Sequence, residues 1–139
     1  AVKECPHFDY EYTKDEANAE LYARLKEQVS EIMNSHAGII RSEEGLKEGL
    51  KKIEALSQSI KQRQAQRQVS GREYYLEASR RLLCVARLIM SPALLRQESR
   101  GGHYREDFPC ADEAYALHSV QRKGEEITTA PVNSNFFNF

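Results

Sequence analysis

Residues 42–60 read SEEGLKEGLKKIEALSQSI. Leu46, Leu50, Ile53, Leu56 and Ile60 recur at steps of 4, 3, 3 and 4. That spacing gathers side chains on one face of an α-helix. Lys and Glu fill the positions between, so the opposite face belongs in water. The helix is expected to open after Ser42. A lone helix of this length is marginal in water, and its apolar stripe calls for partner helices.

Both neighbours supply one. Upstream, Leu21, Leu25, Val29, Ile32 and Met33 fall at three- and four-residue steps. TKDE, residues 13–16, predicts the start of that helix as a capping box, with Thr13 as cap and Glu16 reaching back to its amide. Gly38 in SHAGII predicts its stop, by taking the left-handed conformation past a helix end. His36 lies on this stripe and reads as a partnered histidine at a helix interface. Downstream, the second helix fades into KQRQAQRQ, residues 61–68, polar except for Ala65. Without an aromatic platform this is a solvated helix end, not a nucleic-acid surface. VSGRE, residues 69–73, predicts a turn.

The third helix is expected from about Arg72 to Met90. Leu76, Leu82, Leu83, Ala86, Ile89 and Met90 give it a broad apolar face and mark it as the most buried of the three. Cys84, inside LLCVARLIM, is expected to be a buried small hydrophobe. Pro92 has no amide proton and predicts a kink or a restart at MSPALL, with Ser91 as a new cap.

The fold class is therefore all-α: a three-helix up-down-up bundle over residues 13–98, followed by an irregular loop and a short β-hairpin tail over residues 99–139. The hairpin is expected within YALHSVQRKGEEITTAPV, around a Lys123-Gly124 turn. The tail NSNFFNF either is disordered or docks on something outside the chain. Residues 1–12 read as a linker entering from a missing N-terminal region, because AVKECPHFDYEYTK has no initiator Met and no helical or strand periodicity.

Composition narrows the function classes. The chain has 139 residues, with 20 Lys and Arg against 21 Asp and Glu. A balance that even argues against nucleic-acid binding, which needs a basic excess or stripe. No run approaches the roughly 18 apolar residues of a membrane span. Cys5, Cys84 and Cys110 form no disulfide framework, which suits a reducing, cytoplasmic setting. His7, His36, His103 and His118 show no metal-ligand spacing. Cys110 has His103 and Asp107 nearby in sequence, which is weak ground for a nucleophilic dyad. Gly101-Gly102 lacks the strand-loop-helix setting of a phosphate cradle.

What remains is RQESRGGHYREDFP, residues 96–109. Exposed ion pairs return at most about 1 kcal/mol each, so an ordered loop of this charge needs support from its own bundle or from another domain. Arg100 and Arg105 suit bidentate contacts to carboxylates or backbone carbonyls there.

This stretch closely resembles the Glu-Ser-Arg-Gly-(Ala/Gly)-His-x-Arg-x-Asp-(Phe/Tyr)-Pro segment of the fumarate reductase/succinate dehydrogenase flavoprotein superfamily, which lies in the C-terminal helical domain. EIMNSHAGIIRSEEGLKEGLKKIEAL resembles the first helix pair of that domain, with Met33, Gly38, Ile39, Arg41, Leu46 and Leu50 matching. The resemblance covers about residues 18–112. Within the superfamily, HAGIIRSEEGL and the Gly-Gly pair look most like the L-aspartate oxidases, whereas the succinate and fumarate enzymes more often carry Gly-Ala. Pro92, where Ala is common, and the Phe-rich tail depart from the pattern.

The resemblance implies a longer parent enzyme with an N-terminal FAD-binding domain, an inserted capping domain and this helical domain last. It implies oxidation of L-aspartate to iminoaspartate, feeding NAD synthesis. It places the catalytic residues and FAD contacts in the missing domains, so this fragment is expected to hold no catalytic, cofactor-binding or metal residue and to be inactive alone. Glu98, Ser99, Arg100, Gly101, Gly102, His103, Arg105 and Asp107 are then expected to form a loop docking on the flavin domain, and the isolated fragment to be prone to self-association. The alternatives are a succinate dehydrogenase or fumarate reductase flavoprotein and, from another class, a free-standing helical adaptor.

Overall fold

The computed structural model describes residues 12–13, 16–66 and 72–132. Three long helices dominate: α1 (Glu16–His36), α2 (Glu43–Ala65) and α3 (Tyr74–Leu95). Each packs against the other two. Two-residue strands mark the helix junctions: β1 (Tyr12–Thr13), β2 (Ile40–Arg41), β3 (Arg72–Glu73) and β4 (Tyr104–Arg105). A hairpin, β5 (Leu117–Val120) and β6 (Thr128–Pro131), closes the described chain.

The core is built from the predicted stripes. Leu25 and Val29 of α1, Leu46, Ile53 and Ile60 of α2, and Leu76, Leu83, Ala86 and Met90 of α3 are buried, with Leu21, Ile32, Met33, Leu50, Leu56 and Leu82 packed partly buried around them. α2 opens after Ser42 as expected, and the Ser42 hydroxyl caps it, accepting from the Gly45 amide at 3.2 Å. Thr13 lies in β1 and α1 is described from Glu16, so the capping box expected at 13–16 falls partly outside the described residues. Residues 14–15 and the turn residues 69–71 lie outside the described residues, as does the 133–139 tail.

Polar contacts fix the up-down-up order. At one end, Arg63 near the close of α2 donates to Asn18 near the start of α1 at 3.0 Å, and Asn18 donates to Glu73 before α3 at 3.3 Å. At the other end, residues following α3 touch Arg41, which follows α1, and Glu43, which opens α2. β1 pairs in parallel with β3 at the first end, and β2 with β4 at the second.

Gly38 does different work from that expected. α1 stops at His36, yet Gly38 does not adopt positive φ. A Cβ there would lie 2.7 Å from the Asn34 carbonyl oxygen, so the requirement is space. Gly49 lies inside α2 at the closest approach of the three helices: a Cβ would meet Met90 Cε at 2.2 Å and His36 Cβ at 2.8 Å. His36 is thus an interface histidine, and its Nε2 lies 2.9 Å from Lys52 Nζ.

Pro92 neither breaks nor restarts α3, which runs through it to Leu95. A proline at position 92 leaves the Leu88 carbonyl without its helical donor. The Gln121 side chain, just past β5, donates to that oxygen at 2.8 Å. Cys84 is exposed, not buried. The apolar run around it covers more of the helix circumference than two partner helices can bury. The hairpin forms around the expected turn, with Gly124 at φ +82°.

Candidate functional site

The segment from Arg96 to Asp112 folds back across the end of the bundle. Two of its charged side chains, Glu98 and Arg105, are buried, Arg96 is half-buried, and Arg100, Glu106, Asp107 and Asp112 lie at the surface. Arg105 is completely buried. Its guanidinium donates to the carbonyls of Ala93, Leu94 and Arg96 at 3.1, 3.3 and 3.2 Å. The last carbonyls of a helix have no partner within it, and a cation there also meets the negative end of the helix dipole. Arg105 therefore caps α3. Its other two nitrogens donate in a fork to Asp107, both at 2.7 Å. The Phe108 ring lies under the guanidinium, 5.0 Å from carbon to centroid.

Asp107 carries the link onward: it accepts from the Glu43 amide at 2.8 Å, at the positive end of α2. The paired guanidinium, working against burial, and the Glu43 amide hold the Asp107 carboxyl down at about 2. Glu98 is also fully buried. Burial pushes its carboxyl up, but the Asp112 amide, Arg96 and Arg100 together outweigh that and keep it below the usual range. Arg96 further donates to the carbonyls of Tyr115 and Leu117 at 2.6 and 2.7 Å, tying the hairpin to the helix end.

His103 joins the loop to the α1–α2 corner. Arg41 has only donors, so its contact at 2.8 Å makes His103 Nδ1 the acceptor, and Nε2 faces the Arg96 carbonyl at 3.3 Å. Burial, with the charges of Arg41, Arg96 and Arg105, lowers the His103 pKa. Both ring nitrogens are occupied, and Asp107 is committed to Arg105. The two therefore make no dyad with Cys110, whose carbonyl accepts from the Ser99 amide. The Ser99 hydroxyl accepts from the Arg105 amide at 2.9 Å and donates to the Phe108 carbonyl at 2.8 Å.

Arg100 and His103 exchange backbone bonds across Gly101-Gly102. Gly101 has φ +60° and Gly102 does not, the pattern of a two-residue turn with glycine at its first central position. This turn stands on no strand-to-helix corner, so it forms no dinucleotide cradle. Both glycines are exposed, beside exposed Tyr104, Ile40 and Ile39. Among the described residues every buried side-chain nitrogen and oxygen has a partner, and no group of three or more His, Cys, Asp or Glu is placed to hold a metal. No helix among them is long and apolar enough to cross a membrane.

Of the eight loop residues singled out from the sequence, Glu98, Ser99, His103, Arg105 and Asp107 are thus knit into one network, Arg100 lies at its edge, and Gly101 and Gly102 form its exposed tip. Arg41, Arg96 and Asp112 belong to the network as well. Of these only Arg41 carried a signal, its place in the helix-pair pattern.

The chain is thus a three-helix bundle sealed at one end by an Arg-Asp clamp from its ESRGGHYREDFP loop. The chain belongs to the family described as "Fumarate reductase flavoprotein C-term", which it matches over residues 26–139. Within it, the chain is 38% identical over 96 residues to the L-aspartate oxidase of Pyrococcus furiosus, a match covering 69% of this chain and 16% of that enzyme. It is 38% identical over 85 residues to a Methanocaldococcus jannaschii protein named as an FAD-dependent oxidoreductase, covering 61% and 14%. It is 30% identical over 115 residues to a fumarate reductase flavoprotein subunit of Helicobacter pylori, covering 81% and 16%. The chain thus spans about one sixth of the length of these relatives.

Proposed function

We propose that this chain is the C-terminal domain of an FAD-dependent L-aspartate oxidase, a cytoplasmic enzyme that oxidises L-aspartate to iminoaspartate for NAD synthesis. In that protein the chain is structural. FAD and the reacting groups belong to the preceding flavin-binding and capping domains, and the 98–107 loop packs against the flavin domain. The fragment by itself is inactive. The observation that carries the substrate assignment is the 38% identity to the Pyrococcus furiosus L-aspartate oxidase. The Gly-Gly pair adds little: Gly102 lacks positive φ, and a Cβ there meets nothing within 4 Å, so an alanine would fit as well.

The exposed loop tip supports the docking role. Gly101 and Gly102 let another backbone approach closely, and Tyr104 and Ile40 flank them with apolar surface. The buried Glu98 and Arg105 and the half-buried Ser99 act by holding that tip rigid.

A second assignment, to a succinate dehydrogenase or fumarate reductase flavoprotein, is favoured by the longer alignment to the Helicobacter pylori subunit, over 81% of the chain. The two are separated by following flavin bleaching of the full-length protein without oxygen, and peroxide release with it, on adding L-aspartate and then succinate. Bleaching by L-aspartate alone is expected. Bleaching by succinate alone overturns the oxidase assignment.

A further inference from the structure

We propose that the outward face of α3, centred on Val85, Leu88 and Ile89, is the apolar seat of the polypeptide that precedes this chain in its parent protein. This inference rests on the reading of the chain as one domain of a longer flavoprotein.

Leu76, Leu83, Ala86 and Met90 point α3 into the bundle. On the opposite side Tyr74, Val85, Leu88 and Ile89 are 48, 52, 42 and 48% exposed. Positions 85, 88 and 89 are neighbours on a helix surface and make one patch. From Leu82 to Leu95 the only charged residue is Arg87. A helix apolar nearly all round is a buried helix, yet α1 and α2 cover only one side of it. The outer patch runs on into a cleft of about 310 Å³ between α1 and α3, where Tyr22, Tyr74, Leu82 and Val85 form the apolar wall and Glu77 and Arg81 the polar rim. The outer face of α2, by contrast, carries Lys47, Lys51, Gln58 and Lys61, all exposed. The bundle is therefore finished for water on the α2 side and unfinished on the α3 side.

The occupant follows from two observations. The chain matches a C-terminal family and spans about one sixth of its relatives, so most of the relatives' length is accounted for upstream. The strand β1 pairs with β3 immediately before Tyr74, which brings the entering chain to the foot of this face. A preceding domain leading into β1 would thus lie beside the Tyr74 end of α3. The apolar patch supplies the contact area that the tip of the 98–107 loop, with its two glycines, lacks.

The test places a photoreactive benzophenone side chain at position 85 of the full-length parent protein, and at position 51 as a control on the polar face of α2. Position 85 is exposed in the bundle, so the probe does not disturb the core. Crosslinks from 85 to peptides upstream of this chain, within one polypeptide, with none from 51, are expected. Crosslinks from 85 to a second copy, giving a covalent dimer, overturn the proposal, as does a position 85 no more reactive than 51. Flavin bleaching on the same preparation tests the function separately. Upstream crosslinks without bleaching by L-aspartate uphold the seat and reject the oxidase assignment; bleaching without them rejects the seat alone.

Discussion

Arg105 and Asp107 form a bidentate pair, both bonds 2.7 Å, wedged between the end of α3 and the start of α2. The arginine meets the free carbonyls of one helix and the aspartate a free amide of the other. Each charge therefore faces the helix pole of opposite sign, and their mutual fork keeps both in place. The loop that carries them is thereby a structural clamp.

Arg105→Ala should be among the most damaging single changes in the chain. It leaves the Ala93 and Leu94 carbonyls without their buried donor and strips the fork from Asp107, which keeps only the Glu43 amide, a loss of about 2–4 kcal/mol. Arg105→Lys keeps the charge but cannot form the fork and the carbonyl contacts together, so it should recover only part. Chemical denaturation reads both. An Arg105→Ala variant within about 1 kcal/mol of the parent chain would show that the clamp contributes no more than an exposed ion pair.

Acid should destabilise the fold in two stages. His103 is held below its ordinary 6.5 in the folded chain, so the unfolded chain takes up its proton first. Its contribution is complete above 6.5 and declines as pH falls through that value. Asp107, lowered from 3.8 to about 2, and Glu98, lowered from 4.5, contribute fully above those ordinary values and lose their effect as pH falls below them. His103→Gln should flatten the first decline, as pH falls below 6.5, while keeping the lower stage. An unchanged slope in that variant would assign the first stage elsewhere.

The helices, the opening of α2 after Ser42 and the Lys123-Gly124 hairpin were legible because each depends on residues close in sequence. The ladders β1–β3 and β2–β4 were not: each joins pairs of residues about sixty positions apart, and no local periodicity reports that. Period also misjudged Cys84. Apolar residues on both sides of α3 satisfy the helical spacing equally, and spacing does not say which side the other helices cover. Glu98 and Arg105 illustrate the remaining gap. The family motif marked them, but a run of charges resembles an exposed loop until their partners, the end of α3 and the Asp112 amide, are placed beside them.

Gly49→Ala should destabilise the bundle although alanine is the better helix former. The propensity gain is about 1 kcal/mol. Against it stands the added methyl, 2.8 Å from His36 Cβ and 2.2 Å from Met90 Cε. The methionine tip can swing aside, but His36 Cβ is fixed to the backbone of α1, so α1 and α2 must separate. Overpacking of that kind costs about 1–3 kcal/mol, and a lowered thermal midpoint is expected. A raised midpoint would mean that the helices part without loss.

Pro92 and Gln121 should be coupled. With proline at 92, the Gln121 side chain stands in for the missing helical donor to the Leu88 carbonyl, so Gln121→Ala should cost about 1 kcal/mol. Pro92→Ala restores a backbone amide to the same oxygen and removes the proline penalty, so it should stabilise α3. In that background the carbonyl no longer depends on Gln121, and Gln121→Ala should become nearly neutral. A double-mutant cycle by denaturant unfolding measures the difference directly. Equal costs of Gln121→Ala in both backgrounds would break the link, and the hairpin would then be held to the helix end by Arg96 through Tyr115 and Leu117 alone.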